Sequence, residues 1–173
     1  EYNWTNNVHI FKSSIEKVET NNCNIYGYGF EDFYSKKMAL QDIGKIDESK
    51  INILVAHADL NATENISETY NPITIAELKN LNMDYIALGH IHKRSFLNNI
   101  AYPGSTMSFG FDELDEHGML EVEIEKGKEP KINFIKLDNR EFKEFEIDVT
   151  ELNSVEEIAE KIDSIETQDD LYK

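Results

Sequence analysis

Short apolar runs separated by polar turns predict a mixed α/β fold. The nearly continuous apolar and β-branched run at Ile51–His57 predicts a strand buried on both faces, as in parallel sheets. Residues 23–28 and 85–88 predict two further strands, and residues 8–11 and 17–20 predict short ones. Turn-forming residues lie between these runs, so we expect the strands to share one sheet.

Two helices are predicted in the first half of the chain. Residues 31–43 carry apolar side chains at roughly helical spacing. Thr74 and Glu77 have the spacing of a capping box, which marks the start of the second helix. Ile73 and Leu78 are placed to pack across that start as a hydrophobic staple.

The second half of the chain begins with strand patterns. Residues 96–102 predict an edge strand after a short polar turn. Clean alternation of apolar and polar residues over 118–125 and 131–137 predicts an antiparallel hairpin.

A change of pattern near residue 140 predicts a domain boundary. Residues 141–149 alternate as a strand, and residues 155–165 place apolar side chains on one helical face, with Ser154 as the N-cap. We therefore expect residues 1–139 to form one domain and residues 140–173 to begin a second.

Three histidines are predicted to meet at one edge of the sheet. Strand 51–57, the capped helix and strand 85–88 make a β-α-β unit, whose parallel strands end at the same edge. His57 ends the first strand, and Gly89-His90-Ile91-His92 ends the second. In extended backbone, residues two apart point to the same face, so His90 and His92 should point together. Imidazole is the commonest metal ligand among side chains, so His57, His90 and His92 are candidate metal ligands. Gly89 would let the backbone approach whatever they hold.

The turn at Tyr102-Pro103-Gly104-Ser105 has two interpretations. Proline presets one central φ, and Gly104 suits a position that needs a positive φ, so a plain turn is sufficient. Alternatively, the loop borders the histidine site and offers Ser105 or backbone amides to a phosphate.

The other two histidines are predicted to lie outside the site. His9 is interpreted as a surface or core-edge residue. His117 is assigned to an irregular, acidic and solvated loop over residues 109–117.

Charge and composition limit the function classes. A net charge of −17 opposes binding of nucleic acid by the general surface, so a phosphate substrate would need bound cations. No apolar run has the length of a membrane span. The lone Cys23 cannot form an internal disulfide, which favours a cytoplasmic location. The chain begins at Glu1 without a leader, so we expect a piece of a longer protein.

The motifs together resemble those of a known family. His57 after a buried strand, the Gly89-His90-Ile91-His92 element and the Tyr102-Pro103-Gly104-Ser105 turn resemble the calcineurin-like metallophosphoesterases, and most closely the SbcD-type DNA repair exonucleases. The likeness covers residues 1–140, and residues 141–165 resemble the start of the capping domain of those proteins.

The resemblance implies a fold and an activity. The fold would be part of a four-layer α-β-β-α sandwich, followed by an α+β capping domain that binds DNA. Two divalent ions, Mn²⁺ in this family, would be held with His57 and His90 on one ion and His92 on the other. The implied activity is hydrolysis of DNA phosphodiester bonds. The implied partners are DNA ends and an SbcC-type ATPase, with no membrane, and pairing with a second copy of the chain is left open.

One departure from the family bears on activity. The Asp-x-His, Gly-Asp and Gly-Asn-His motifs of the family have no counterpart ahead of His57, so we expect no catalytic residue here and an inactive isolated chain. Two alternatives stay open. One is a phosphoprotein or nucleotide phosphatase of the same superfamily. The other is a non-catalytic acidic interaction domain, in which the histidines form a structural zinc site or only hydrogen bonds.

Overall fold

The structure, a computed structural model, describes residues 3–29, 40–60, 71–114, 116–137 and 141–165 and the backbone of residues 171–172. The strands are β1 (Glu16–Glu19), β2 (Cys23–Tyr28), β3 (Ile51–His57), β4 (Asp59–Leu60), β5 (Pro72–Ile73), β6 (Tyr85–Gly89), β7 (Ser95–Leu97), β8 (Ile100–Tyr102), β9 (Gly118–Glu123), β10 (Lys131–Lys136), β11 (Phe142–Lys143) and β12 (Leu171–Tyr172). The helices are α1 (Ile75–Lys79) and α2 (Val155–Asp163), and a 3₁₀ helix spans Leu40–Ile43.

The largest sheet in the described part of the chain has six strands in the order β1-β2-β3-β6-β8-β7. Strands β2, β3, β6 and β8 are parallel, and β1 and β7 are antiparallel edge strands. Leu54, Ile86 and Leu88 are fully buried on this sheet. The predicted mixed α/β class is confirmed, while the four-layer sandwich and the boundary near residue 140 stay predictions.

The predicted β-α-β unit is confirmed. Its strands β3 and β6 are adjacent and parallel, and α1 lies between them in sequence. Both halves of the capping box form: the Glu77 N–H donates to Thr74 Oγ1 at 3.2 Å, and the Thr74 N–H donates to Glu77 Oε2 at 2.8 Å. Ile73 and Leu78 are fully buried in the same apolar cluster, as expected for the predicted staple.

The predicted hairpin and the last helix are also confirmed. Strands β9 and β10 pair antiparallel, and the hairpin contacts the large sheet through two cations. Lys126 pairs with Asp84 at 2.8 Å, and the Arg94 guanidinium lies 3.5 Å from the centre of the Phe134 ring. Helix α2 starts at Ser154, whose hydroxyl accepts the Glu157 N–H at 3.2 Å.

Three strand predictions are wrong. Residues 8–11 are not a strand; the Phe11 ring instead lies on Gly27, where an added Cβ would be 2.1 Å from the ring. Residues 96–102 form the β7–β8 hairpin because Asn98, at φ 55°, reverses the chain. Residues 144–149 are not a strand, and only Phe142–Lys143 pairs, with β12.

The buried strand and the first helix differ from expectation in detail. Strand β3 is not buried on both faces, because its side chains alternate and Val55 is 39% exposed among the described residues. Residues 31–39 of the predicted helix lie outside the described residues, and the remainder is the 3₁₀ helix Leu40–Ile43. Within the described ranges, the helices are too short or too polar to cross a bilayer.

Candidate metal centre

Two of the candidate ligands come together at the carboxyl edge of the sheet. His57 is the last residue of β3 and pairs in register with Gly89, the last residue of β6. The rings of His57 and His90 have centroids 5.1 Å apart and planes inclined at 70°. The parallel topology therefore brings the two imidazoles into contact, as the β-α-β unit predicts.

Gly89 is required by the ring of His57. A Cβ at this position would lie 3.1 Å from His57 Nδ1, closer than an ordinary van der Waals contact. The sequence predicts that glycine here allows a close approach of backbone, and the group that approaches is the imidazole of His57.

The conformation that places His90 and His92 is not the predicted one. Strand β6 ends at Gly89, and the following residues bend instead of continuing as a strand. His90 has φ 107°, a conformation that non-glycine residues rarely adopt and that costs on the order of 1–3 kcal/mol. The two side chains are therefore positioned by a strained bend and not by strand alternation.

The main chain after His57 is held by buried hydrogen bonds. The Asn71 side chain donates to the His57 carbonyl at 3.1 Å. The Tyr102 hydroxyl donates to the Ala58 carbonyl at 2.7 Å and accepts the Leu60 N–H at 3.1 Å. Burial raises the pKa of Tyr102 to about 12, so the phenol stays a neutral donor. These contacts fix the position from which the His57 ring projects.

His57 is held in its neutral form. Burial lowers the pKa of its imidazole, and the neighbouring His90 and His92 lower the pKa further because like charges repel. A neutral imidazole keeps the lone pair that a metal ion needs.

His92 is held by a different loop. Its ring is 61% exposed, and Nδ1 lies 2.5 Å from Glu113 Oε1. Glu113 Oε2 also accepts the Phe109 N–H at 3.0 Å. Burial alone would raise the pKa of Glu113, but the hydrogen bonds from His92 and Phe109 bring that pKa below its usual value.

The Tyr-Pro-Gly-Ser turn borders the site. The Ser105 N–H donates to the His92 carbonyl at 3.0 Å. Gly104 has φ 81°, which confirms the predicted positive φ, and a Cβ there would lie 2.6 Å from the same carbonyl. The turn thus packs on the main chain of His92, while the role of Ser105 toward substrate stays a prediction.

His117 is not a solvated loop residue, contrary to expectation. It is 5% exposed, and its Nδ1 lies 2.8 Å from the Ser105 hydroxyl. It directly precedes β9, whose pairing pulls it under the Ser105 turn. A cleft of about 280 Å³ adjoins it, lined by His92, Lys93, Arg94, Asp112, Glu113, Leu114, Glu116 and His117.

Two functional candidates are therefore missed from the sequence. Glu113 is assigned there to the solvated acidic loop with His117, yet its carboxylate is only 13% exposed. The remaining histidine, His9, lies on the surface as predicted and pairs with Glu16 at 3.1 Å.

The described residues offer part of a metal site. No group of three or more His, Cys, Asp or Glu side chains among them is arranged to hold an ion. The His57–His90 pair nevertheless fits one ion. An imidazole nitrogen about 2.1 Å from a metal puts each ring centre about 3.3 Å from it, so two adjacent ligand rings lie about 5 Å apart.

Comparison with known proteins finds two curated relatives. The chain is 28% identical over 134 residues to the uncharacterized metallophosphoesterase YhaO of Bacillus subtilis (strain 168), which covers 72% of this chain and 33% of that protein. It is 31% identical over 101 residues to a subunit of the nuclease SbcCD of Staphylococcus epidermidis (strain ATCC 12228 / FDA PCI 1200), which covers 53% of this chain and 27% of that protein. The chain thus spans about a third or less of each relative. No family model matches it.

Proposed function

We propose, from the support that both matches give to the calcineurin-like metallophosphoesterase family and its SbcD branch, that this chain carries part of a metal-dependent nuclease site. The reaction is hydrolysis of DNA phosphodiester bonds. The observation that carries the proposal is the contact between the His57 and His90 rings, 5.1 Å apart at the ends of adjacent parallel strands.

The three histidines divide between two ions in this proposal. His57 and His90 hold one divalent ion, and His92, which Glu113 holds separately, contributes to the second. Mn²⁺ is the proposed metal, and bound ions of this kind supply Lewis acidity and a hydroxide nucleophile. The protein's own net charge of −17 makes such cations necessary for a phosphate to approach.

The surrounding residues position the ligands and the substrate. The neutral imidazole of His57 projects from a main chain that Asn71 and Tyr102 hold in place. The Ser105 N–H is already used by the His92 carbonyl, so the Ser105 hydroxyl is the group that would reach a phosphate oxygen.

The described residues contain candidate ligands but no candidate for proton transfer to the leaving group. We therefore propose that these 173 residues do not hydrolyse DNA by themselves. The same family supports three further proposals: a four-layer sandwich, a capping domain from residue 140 that binds DNA, and association with an SbcC-type ATPase. One of the two relatives is itself named as part of the SbcCD nuclease.

Paired alanine variants in the native protein test this function. His57→Ala and His90→Ala should each lower Mn²⁺-dependent hydrolysis of linear duplex DNA by at least about 100-fold, because loss of a ligand should exceed the 10–100-fold typical of outer-shell partners. The matched control is His9→Ala, which removes an exposed imidazole away from the site and should leave the rate unchanged.

Substrate choice separates the nuclease from the phosphatase alternative. The native protein with Mn²⁺ should hydrolyse nitrophenyl thymidine phosphodiester faster than nitrophenyl phosphate. Faster turnover of the monoester would favour a phosphatase. Absence of Mn²⁺ binding by calorimetry would rule out both enzymes and favour the interaction domain.

A further inference from the structure

The Glu113 carboxylate contacts His92 in a fixed geometry. One oxygen lies 2.5 Å from His92 Nδ1, and the other accepts the Phe109 N–H at 3.0 Å. Because both oxygens have partners and the side chain is only 13% exposed, the carboxylate cannot rotate freely. Its position therefore constrains the imidazole ring.

The loop that carries Glu113 is itself held by hydrogen bonds. The Glu113 N–H donates to the Gly110 carbonyl at 3.0 Å, and the Ser108 hydroxyl donates to the Glu113 carbonyl at 2.6 Å. Ser108 is buried, so this support is protected from water. The loop presents Glu113 to His92 as a rigid unit.

The chemistry of this contact determines which nitrogen of His92 carries hydrogen. A carboxylate has no hydrogen to donate, so His92 Nδ1 must be the donor. A neutral imidazole carries one N–H, so the lone pair then lies on Nε2. Carboxylate–histidine pairs of this type commonly fix the tautomer and orientation of a metal ligand.

We propose that Glu113 is a positioning residue that holds His92 protonated at Nδ1 and directs the Nε2 lone pair toward a divalent cation. The tautomer half of this proposal concerns the protein without metal, and the cation half rests on the proposed function. The two halves are tested by separate measurements.

Side-chain NMR of the metal-free protein tests the tautomer. Two-bond ¹H–¹⁵N correlations should show His92 as the Nδ1–H form in the native protein and a shift toward the Nε2–H form in Glu113→Ala. Glu113→Gln retains an acceptor oxygen and should keep the native tautomer, which separates hydrogen bonding from charge. A native His92 in the Nε2–H form, or no change in Glu113→Ala, would overturn the proposal.

Glu116→Gln is the matched control. Glu116 lines the same cleft and lies 3.8 Å from Lys136, so the variant removes one charge nearby without removing the contact to His92. It should leave the His92 spectrum unchanged. If it shifts the tautomer as much as Glu113→Ala does, the cleft charge and not the specific contact controls His92, and the proposal fails.

Mn²⁺ titration tests the cation half. Glu113→Ala should weaken binding by about 10–100-fold relative to the native protein and to Glu116→Gln. Equal affinities would overturn the cation half. If the native protein binds no Mn²⁺ while the tautomer result holds, the proposed function fails and the positioning of His92 by Glu113 stands.

Discussion

The two ends of the parallel strands β3 and β6 both carry polar residues, but they use them differently. At the amino end, the fully buried Asn52 donates to the Asp47 and Lys50 carbonyls and accepts from Asn24 at 3.1 Å. Its N–H donates to Asp84, which Lys126 pairs. Among these groups only Asn24 Oδ1 is left without a partner.

At the carboxyl end, polar groups are concentrated at a cost in stability. The His57 and His90 rings touch, His90 disfavours protonation of His57, and His90 itself adopts a strained φ of 107°. A satisfied buried network stabilises a fold, whereas strain and repulsion between like groups are typical of functional sites. The comparison indicates that the amino end is structural and the carboxyl end is functional.

The largest effect on stability is expected at the amino end. Asn52→Ala removes three side-chain hydrogen bonds and leaves buried partners unpaired, so the free energy of unfolding should fall by about 2–4 kcal/mol. Urea unfolding measures this, and the exposed Asn133→Ala is the matched control. A loss below about 0.5 kcal/mol, on the scale of about 1 kcal/mol per hydrogen bond, would contradict a structural role.

A smaller effect on stability, with a larger effect on metal binding, is expected at the carboxyl end. Gly89→Ala would push against His57 Nδ1 at 3.1 Å, which should cost about 1 kcal/mol and weaken Mn²⁺ binding by about tenfold. Calorimetry measures both quantities. In a double-mutant cycle Gly89→Ala should add little to His57→Ala, and full additivity would show that the two residues do not act together.

The smallest effect is expected where the amino-end network meets solvent. Lys126→Ala removes a partly exposed ion pair with Asp84, so the loss should be no more than about 1 kcal/mol and should shrink in high salt. Urea unfolding at low and high salt measures it. A loss that is independent of salt would mean that the aliphatic part of Lys126, and not its charge, stabilises the hairpin.

Several features followed from local sequence patterns. The capping box at Thr74, the positive φ of Gly104 and the β9–β10 hairpin depend on residues close in sequence, and all three are confirmed. The family inferred from the histidine and Tyr-Pro-Gly-Ser motifs is confirmed at modest identity by the two relatives. The contact of His57 with His90 also followed, because parallel strands of a β-α-β unit end at one edge.

Other features were decided only by tertiary structure. The bend at His90, the burial of His117 and the contact of Glu113 with His92 depend on loops and strands that are distant in sequence. An acidic loop and a solvated face have the same composition, so no local pattern distinguishes them. The sequence by itself determined the ligand types and the edge where they meet. The packing of β9 and the Glu113 loop determined how the ligands are held, because the hydrogen bonds there exist only once the chain has folded.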